Sequence, residues 1–209
     1  MGTPAPPSIT AVVLVGGRAR RLGGIDKAAL SVPSPSKPQT FLEHILAELK
    51  SADLPILLAG RANQTNPAPP HPFIQDNYPN TGPLGALTTA MENASTEWVF
   101  IVACDLPAFS ATVVQRLLAL RQHHPSATSL IPKTNEHLEV TAALYHRSHL
   151  SALQGELAKG NYSLKRWIHS LHSSNVAIWD TSDDEAQWFR NVNSPEDLRQ
   201  LQGKPAKTP

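Results

Sequence analysis

The 209-residue sequence predicts an α/β fold, three layers thick, with a mostly parallel central sheet. Short apolar runs alternate with helix-length amphipathic segments, the pattern of parallel strands covered by helices. Two of those runs, Ala11 to Val15 and Trp98 to Cys104, are almost free of polar residues, as strands buried on both faces must be. With 41% hydrophobic residues the chain can bury a sizeable core. We expect one domain over residues 9–202, between loose tails at 1–8 and 203–209.

Ala11-Val12-Val13-Leu14-Val15 reads as the first strand, stopped by Gly16-Gly17, after which charged residues and glycines run on to Lys27. Ser31 to Pro38 is a second, Pro/Ser-rich loop. It ends where Thr40 and Glu43 form a capping box that opens a helix over Phe41 to Leu49. Pro55 to Ala59 is the second strand and Phe73 to Gln75 a short third. The prolines between Asn66 and Pro72 forbid regular structure there. From Pro83 onward Leu84, Leu87, Thr88 and Met91 share a helical face, and Trp98 to Cys104 follows as an interior strand ending at Asp105. Ser110 is the expected N-cap of a helix with the stripe Val113, Val114, Leu117 and Leu118. Strands near Thr128 to Ile131 and Val140 to Tyr145 come next, with helices around Ser148 to Lys159 and Ser163 to Leu171. The last helix has Ser194 as cap, Pro195 at its first position, and Glu196 and Asp197 beside its positive end.

Composition excludes several classes of function. A formal net charge of +1 provides no global field for a nucleic-acid backbone or an anionic membrane, so any anion site is local. The single cysteine, Cys104, rules out an intrachain disulfide and a multi-cysteine metal site, which suits the cytoplasm. Met1 to Ser8 has neither the basic head nor the apolar stretch of a signal peptide, and Pro6 stands where a myristoylation motif needs Ser or Thr. No apolar run approaches the roughly 20 residues of a membrane span.

Chemistry concentrates between Gly16 and Lys27, where four glycines and four cationic side chains fall within twelve positions behind a buried strand. Glycine lets backbone N–H groups approach phosphate oxygens closely, and Arg and Lys neutralise those oxygens. The loop is neither the Walker type, G-x-x-x-x-G-K-S/T, nor the dinucleotide fingerprint G-x-G-x-x-G. A solvated surface loop explains the composition less well, given the ordered spacing and the strand before it.

In this form, G-G-x-x-x-R-x-G-G-x-D-K after an apolar strand, the loop resembles the signature of the molybdenum cofactor guanylyltransferases, the MobA family. Four further blocks resemble that family in its order: Lys37-Pro38 before Phe41-Leu42-Glu43-His44; Asp76 with Gly82-Pro83-Leu84-Gly85; Ala103-Cys104-Asp105-Leu106-Pro107; and Asn191-Val192-Asn193-Ser194-Pro195-Glu196. The resemblance implies a Rossmann-like nucleotidyltransferase fold, Mg²⁺, GTP as donor, and the phosphate of molybdopterin (Mo-molybdopterin) as acceptor. The products would be the guanine dinucleotide cofactor and pyrophosphate, and a molybdoenzyme or molybdenum-insertion protein would receive the cofactor. It further implies that Leu14, Val15, Gly16, Gly17, Gly82, Pro83, Leu84 and Gly85 contact the nucleotide. Arg21 and Lys27 would meet the phosphates, Asp76 the nucleoside, and Asp105 the metal, with Arg21, Lys27 and Asp105 forming the catalytic set. The chain departs from the family at Val15, often Ala, at Ala59-Gly60-Arg61, where an Asn is often found, and in the inserted Ser31 to Ser36.

The residue types suit this reaction. Mg²⁺ keeps several waters, so one carboxylate plus triphosphate oxygens suffices to hold it. Asp105 lies beyond the carboxyl end of an interior strand, where open α/β sheets bind ligands, although a strand-end Asp also caps turns. A phosphate monoester is largely dianionic at neutral pH and attacks without a general base. The nine histidines show no ligand spacing; His146 and His149 share a helical face at most. Cys104 reads as a small core residue, and Lys165-Arg166 as a solvated helix face rather than an acceptor-phosphate contact. Asn191 and Asn193 are acceptor-side candidates, because uncharged amides orient an anion or metal-bound water without repelling phosphate. The rival readings are a molybdenum cofactor cytidylyltransferase or sugar-phosphate nucleotidyltransferase on the same fold, and a catalytically idle nucleotide-binding module.

Overall fold

The computed structural model describes residues 8–19, 25–32 and 39–201, with backbone alone at 18, 19, 25–27 and 32. Among these residues an eight-stranded sheet is built from β1 (Ile9–Leu14), β2 (Ile56–Gly60), β3 (Phe73–Gln75), β4 (Trp98–Ala103), β5 (Ser129–Thr134), β6 (His137–Leu138), β7 (Ala142–His146) and β8 (Val176–Asp180). The spatial order is β3–β2–β1–β4–β7–β5, and both β6 and β8 pair with β5. β1, β2, β3 and β4 are mutually parallel, as are β5 and β8, whereas β7 runs antiparallel between β4 and β5. The sheet is therefore mixed but mostly parallel, as expected.

Three layers follow from the alternation of strand side chains. Val13, Val15, Phe100 and Val102 face a cluster that includes Leu42, Ile45 and Leu49 of α1 (Phe41–Ser51) and Val113 and Leu117 of α3 (Thr112–His123). Val12, Leu57, Val99 and Ile101 face the opposite cluster, with Leu84, Leu87 and Met91 of α2 (Gly82–Asn93), Leu153 of α4 (Leu150–Ala158) and Trp167 of α5 (Leu164–Ser170). Apolar side chains on both faces explain why these strands read as unbroken runs. The Thr40–Glu43 capping box forms with both of its reciprocal hydrogen bonds.

Several boundaries differ from expectation. The residue in the cap position of α3 is Ala111, not Ser110, yet Ser110 Oγ still accepts from Thr112 N at 3.2 Å, one residue early for a regular N-cap. The expected helix at 148 begins as a 3₁₀ turn, Arg147–His149, and His146 ends β7, so the two histidines do not share a helical face. Their surroundings also differ. His146 packs edge-on against Trp98, while the buried His149 places Nε2 3.0 Å from Ser129 Oγ and 3.1 Å from the Thr128 carbonyl. Burial pushes the His149 pKa down to about 4, so the ring is neutral. β8, the hairpin strand β6 and the short helix α6 (Asp183–Ala186) have no counterpart in the sequence reading. The last helix, α7 (Pro195–Leu201), is capped as expected, with Asp197 N donating to Ser194 Oγ at 3.1 Å.

Candidate active site

The chain order reverses between β1 and β4: from β1 it winds outward through β2 and β3, then crosses back to the other side of β1. Such a switch point opens a crevice at the carboxyl ends of the strands. Here the crevice is a cleft of about 740 Å³ whose lining comes from the loop after every one of these strands. Backbone hydrogen bonds tie those loops together side by side. Asp76 N donates to Gly60 O at 2.7 Å, Val15 N to Ala59 O at 2.8 Å, and Cys104 N to Leu14 O at 3.2 Å. Beyond β4, Ala103 N meets Thr141 O at 2.9 Å and Val192 N meets Asp105 O at 3.0 Å. Residues from 14 to 192 are thus drawn onto one rim.

Of the sequence-derived candidates, Leu14, Gly16, Gly17, Asp76, Gly82, Pro83, Asp105, Asn191 and Asn193 line the cleft together. Val15, Leu84 and Gly85 are buried beneath its wall and contribute packing and backbone. Arg21 lies outside the described residues, as does the side chain of Lys27, whose backbone opens the 3₁₀ turn Lys27–Ala29. The Ser31 to Ser36 insertion is described only at Ser31–Val32, which pairs with Gln39–Thr40.

Asp76 is held in place rather than merely present. Its Oδ1 accepts from Tyr78 N at 2.9 Å and from Thr89 Oγ1 at 3.1 Å, an Asx turn anchored to α2. The turn is fastened a second time through Glu92, whose carboxylate accepts from Tyr78 OH at 2.6 Å, Asn77 Nδ2 at 2.8 Å and Gln154 Nε2 at 2.8 Å. The hydrogen bond to Glu92, aided by burial, raises the Tyr78 pKa. Partial burial works to raise that of Glu92, but the three donors outweigh it and hold the carboxyl below its ordinary value. Gly85 is needed for this turn to close. A Cβ there would sit 1.8 Å from Thr81 Oγ1 and 2.9 Å from Tyr78 Cβ.

Asp105 stands half-buried at the end of β4, with Asn191 and Asn193 brought beside it by the Val192–Asp105 bond. Among the described residues no group of three or more His, Cys, Asp or Glu forms a metal cage. One carboxylate flanked by amides fits a hard cation completed by ligand phosphate oxygens.

Sequence reasoning missed Arg61, Asn80, Thr89 and Thr141, which also line the cleft. Arg61 follows a strand at the cleft end, a signal available once the strands were assigned, whereas Thr141 falls inside the strand expected over Val140 to Tyr145 and in the structure precedes it. It also missed a second groove of about 350 Å³, lined by residues including Glu139, Tyr162 and Lys165 and sharing Pro83, Thr141 and Asn191 with the main cleft. Lys165 thus faces a groove, while its neighbour Arg166 is simply exposed.

Residues 11–176, well over half of the chain, match the model of the MobA-like NTP transferase domain. The chain belongs to that family. Membership makes it a nucleotidyltransferase. Among relatives of this MobA-like chain, the molybdenum cofactor guanylyltransferase of Polynucleobacter asymbioticus is 31% identical, with 95% of this chain and 98% of the relative covered. That of Vibrio cholerae is 30% identical over 94% and 92% of the two chains. The fold is shared with molybdopterin-guanine dinucleotide biosynthesis protein A from Archaeoglobus fulgidus, with a TM-score of 0.73, 21% identity, and 93% and 97% of the chains covered. No helix among the described residues is long and apolar enough to cross a membrane.

Proposed function

We propose that this MobA-like transferase is a molybdenum cofactor guanylyltransferase: it moves GMP from GTP to the phosphate of molybdopterin (Mo-molybdopterin) and releases pyrophosphate. The observation that carries the reading is the continuity of the two grooves through Thr141 and Asn191, next to Asp105. Transfer needs a donor and an acceptor side by side at one phosphorus. The main cleft, bounded by Gly16-Gly17, Asp76 and Asp105, takes the nucleotide. The adjoining groove takes the acceptor, with Lys165 at its edge to meet an anionic group.

An acceptor phosphate oxygen attacks the α-phosphorus, the new P–O bond forms, and the bond from the α-phosphorus to the bridging oxygen breaks. The electron pair leaves with pyrophosphate. The attacking group is already anionic, so no proton must first be removed. Arg21 and Lys27 neutralise the departing pyrophosphate, Asp76 holds the nucleoside, and Asn191 and Asn193 orient the acceptor. Asp105 would hold Mg²⁺, which when bound supplies positive charge against the phosphate oxygens. The product would pass to a molybdoenzyme or a molybdenum-insertion protein.

The test is pyrophosphate release from protein, Mg²⁺ and molybdopterin with GTP, CTP or ATP in turn. Strong preference for GTP is expected. Equal release with CTP overturns the nucleotide assignment, and tight GTP binding with no release overturns the transfer reaction.

A further inference from the structure

We infer that Arg61 is the guanine-reading residue of the nucleotide cleft, donating to the O6 and N7 acceptors of the base. This inference rests on the guanylyl-transfer reading and adds to it the group that selects the base.

The position of Arg61 is fixed by its surroundings. It follows β2 directly, its N–H donates to Gln64 Oε1 at 3.0 Å, and Gln64 Nε2 donates in turn to Val15 O at 3.2 Å. Its stem lies along the loop after β1, so close that a Cβ on Gly16 would stand 3.1 Å from Arg61 Cγ. Residue 60 cannot read the base with a side chain of its own. A Cβ there would fall 2.6 Å from the Phe73 ring and 2.8 Å from Gln64 Oε1. Recognition at the end of β2 therefore falls to the next residue.

Among the described residues the charge of Arg61 has no counterpart. Arg116 pairs with Glu185, Arg199 pairs with Glu196, and Arg121 stacks over Trp98, but among the described residues Arg61 meets no carboxylate. Its Nε is shielded from solvent and has no acceptor among the described residues. A buried N–H left this way is unfavourable unless a ligand brings the acceptor. That ligand enters the cleft that Arg61 lines.

Which part of the ligand arrives is decided by the layout of the cleft. The acceptor groove opens on the Thr141 and Asn191 side of Asp105. With the α-phosphorus beside Asp105, the nucleoside extends the other way, toward β2 and β3, where Arg61, Asp76, Pro79 and Asn80 form the wall. Guanine presents O6 and N7 as adjacent, coplanar acceptors, and a guanidinium presents two parallel donors. Adenine keeps N7 but turns a donor toward the fork at N6, and cytosine turns one at N4.

Calorimetric binding of GTP, 7-deaza-GTP, ATP and inorganic tripolyphosphate to the wild type, Arg61→Ala and Arg61→Lys tests this. The wild type should favour GTP over ATP and 7-deaza-GTP. Arg61→Ala should weaken GTP by roughly ten- to a hundredfold, bring it close to ATP, and remove the penalty for 7-deaza-GTP. Tripolyphosphate binding should not change. Arg61→Lys, which keeps the charge and the stem, should lose most of the discrimination while retaining the wild-type fold by circular dichroism. An equal loss for GTP, ATP and tripolyphosphate would make Arg61 a phosphate ligand and overturn the inference, as would full GTP preference in Arg61→Ala. Failure of the wild type to release pyrophosphate with molybdopterin would refute the transfer reaction and leave this binding result standing.

Discussion

On the β1–β3 side of the cleft much of the wall is backbone and small residues, Gly16, Gly17, Gly60, Ala62, Gly82 and Pro83, with Asp76 clamped in a turn and Arg61 and Asn80 as its larger side chains. On the β7 side the adjoining groove is lined by larger side chains from distant parts of the chain: Leu138, Glu139, Tyr162, Lys165 and Asn191. A triphosphate and a ribose are the same for every donor and can be gripped by fixed amides. An acceptor specific to one pathway calls for side chains that vary. The two halves meet at Thr141 and Asn191, beside Asp105, so a substitution at Asp105 should disturb both, whereas substitutions farther out should disturb one.

The largest effect is expected where the halves join. Asp105→Ala should lower turnover by about a hundredfold or more, as should Lys27→Ala, with the fold retained by circular dichroism. An unchanged rate in either variant removes its assigned role. Acidification should next lower the stability of the whole protein without singling out either half. His149, under β5 and α5, titrates near 4 when folded and near 6.5 when unfolded. Its folded value is depressed, so the unfolded chain binds the extra proton between those values. Stability is full above about pH 6.5 and falls as pH drops toward 4, by up to about 3 kcal/mol. Denaturant midpoints across that range should show the slope, and His149→Gln should flatten it; an unaltered slope assigns it to other groups.

Gly85→Ala should cost about 1–3 kcal/mol, because the new methyl displaces Thr81 and the turn that holds Asp76. The KM for GTP should rise while that for molybdopterin stays. Lys165→Ala should do the reverse, raising the KM for the acceptor roughly tenfold and leaving GTP unaffected. Steady-state kinetics with each substrate varied in turn checks both, and a change in the wrong substrate's KM dissolves the division of the cleft.

The same division governs what could be read in advance. β1, β4 and α1 were legible because each carries a local signal: an unbroken apolar run or a capping pair four residues across. Gly16, Gly17 and Asp105 could be placed at the cleft because they adjoin those strands. β8 was not, since Val176–Asp180 is short and owes its extended form to pairing with β5. The reversed direction of β7 was equally hidden, because side-chain alternation is the same in either direction. Lys165 looked like a helix face for a related reason. The groove that it borders exists only when residues 138–141 and 191 arrive from elsewhere.

The bond from Val192 N to Asp105 O also bears on the order in which the molecule is made. A ribosome completes the nucleotide wall long before it reaches Asn191 and Asn193. On the proposed function, the two amides assigned to the acceptor are therefore the last part of the cleft to be made.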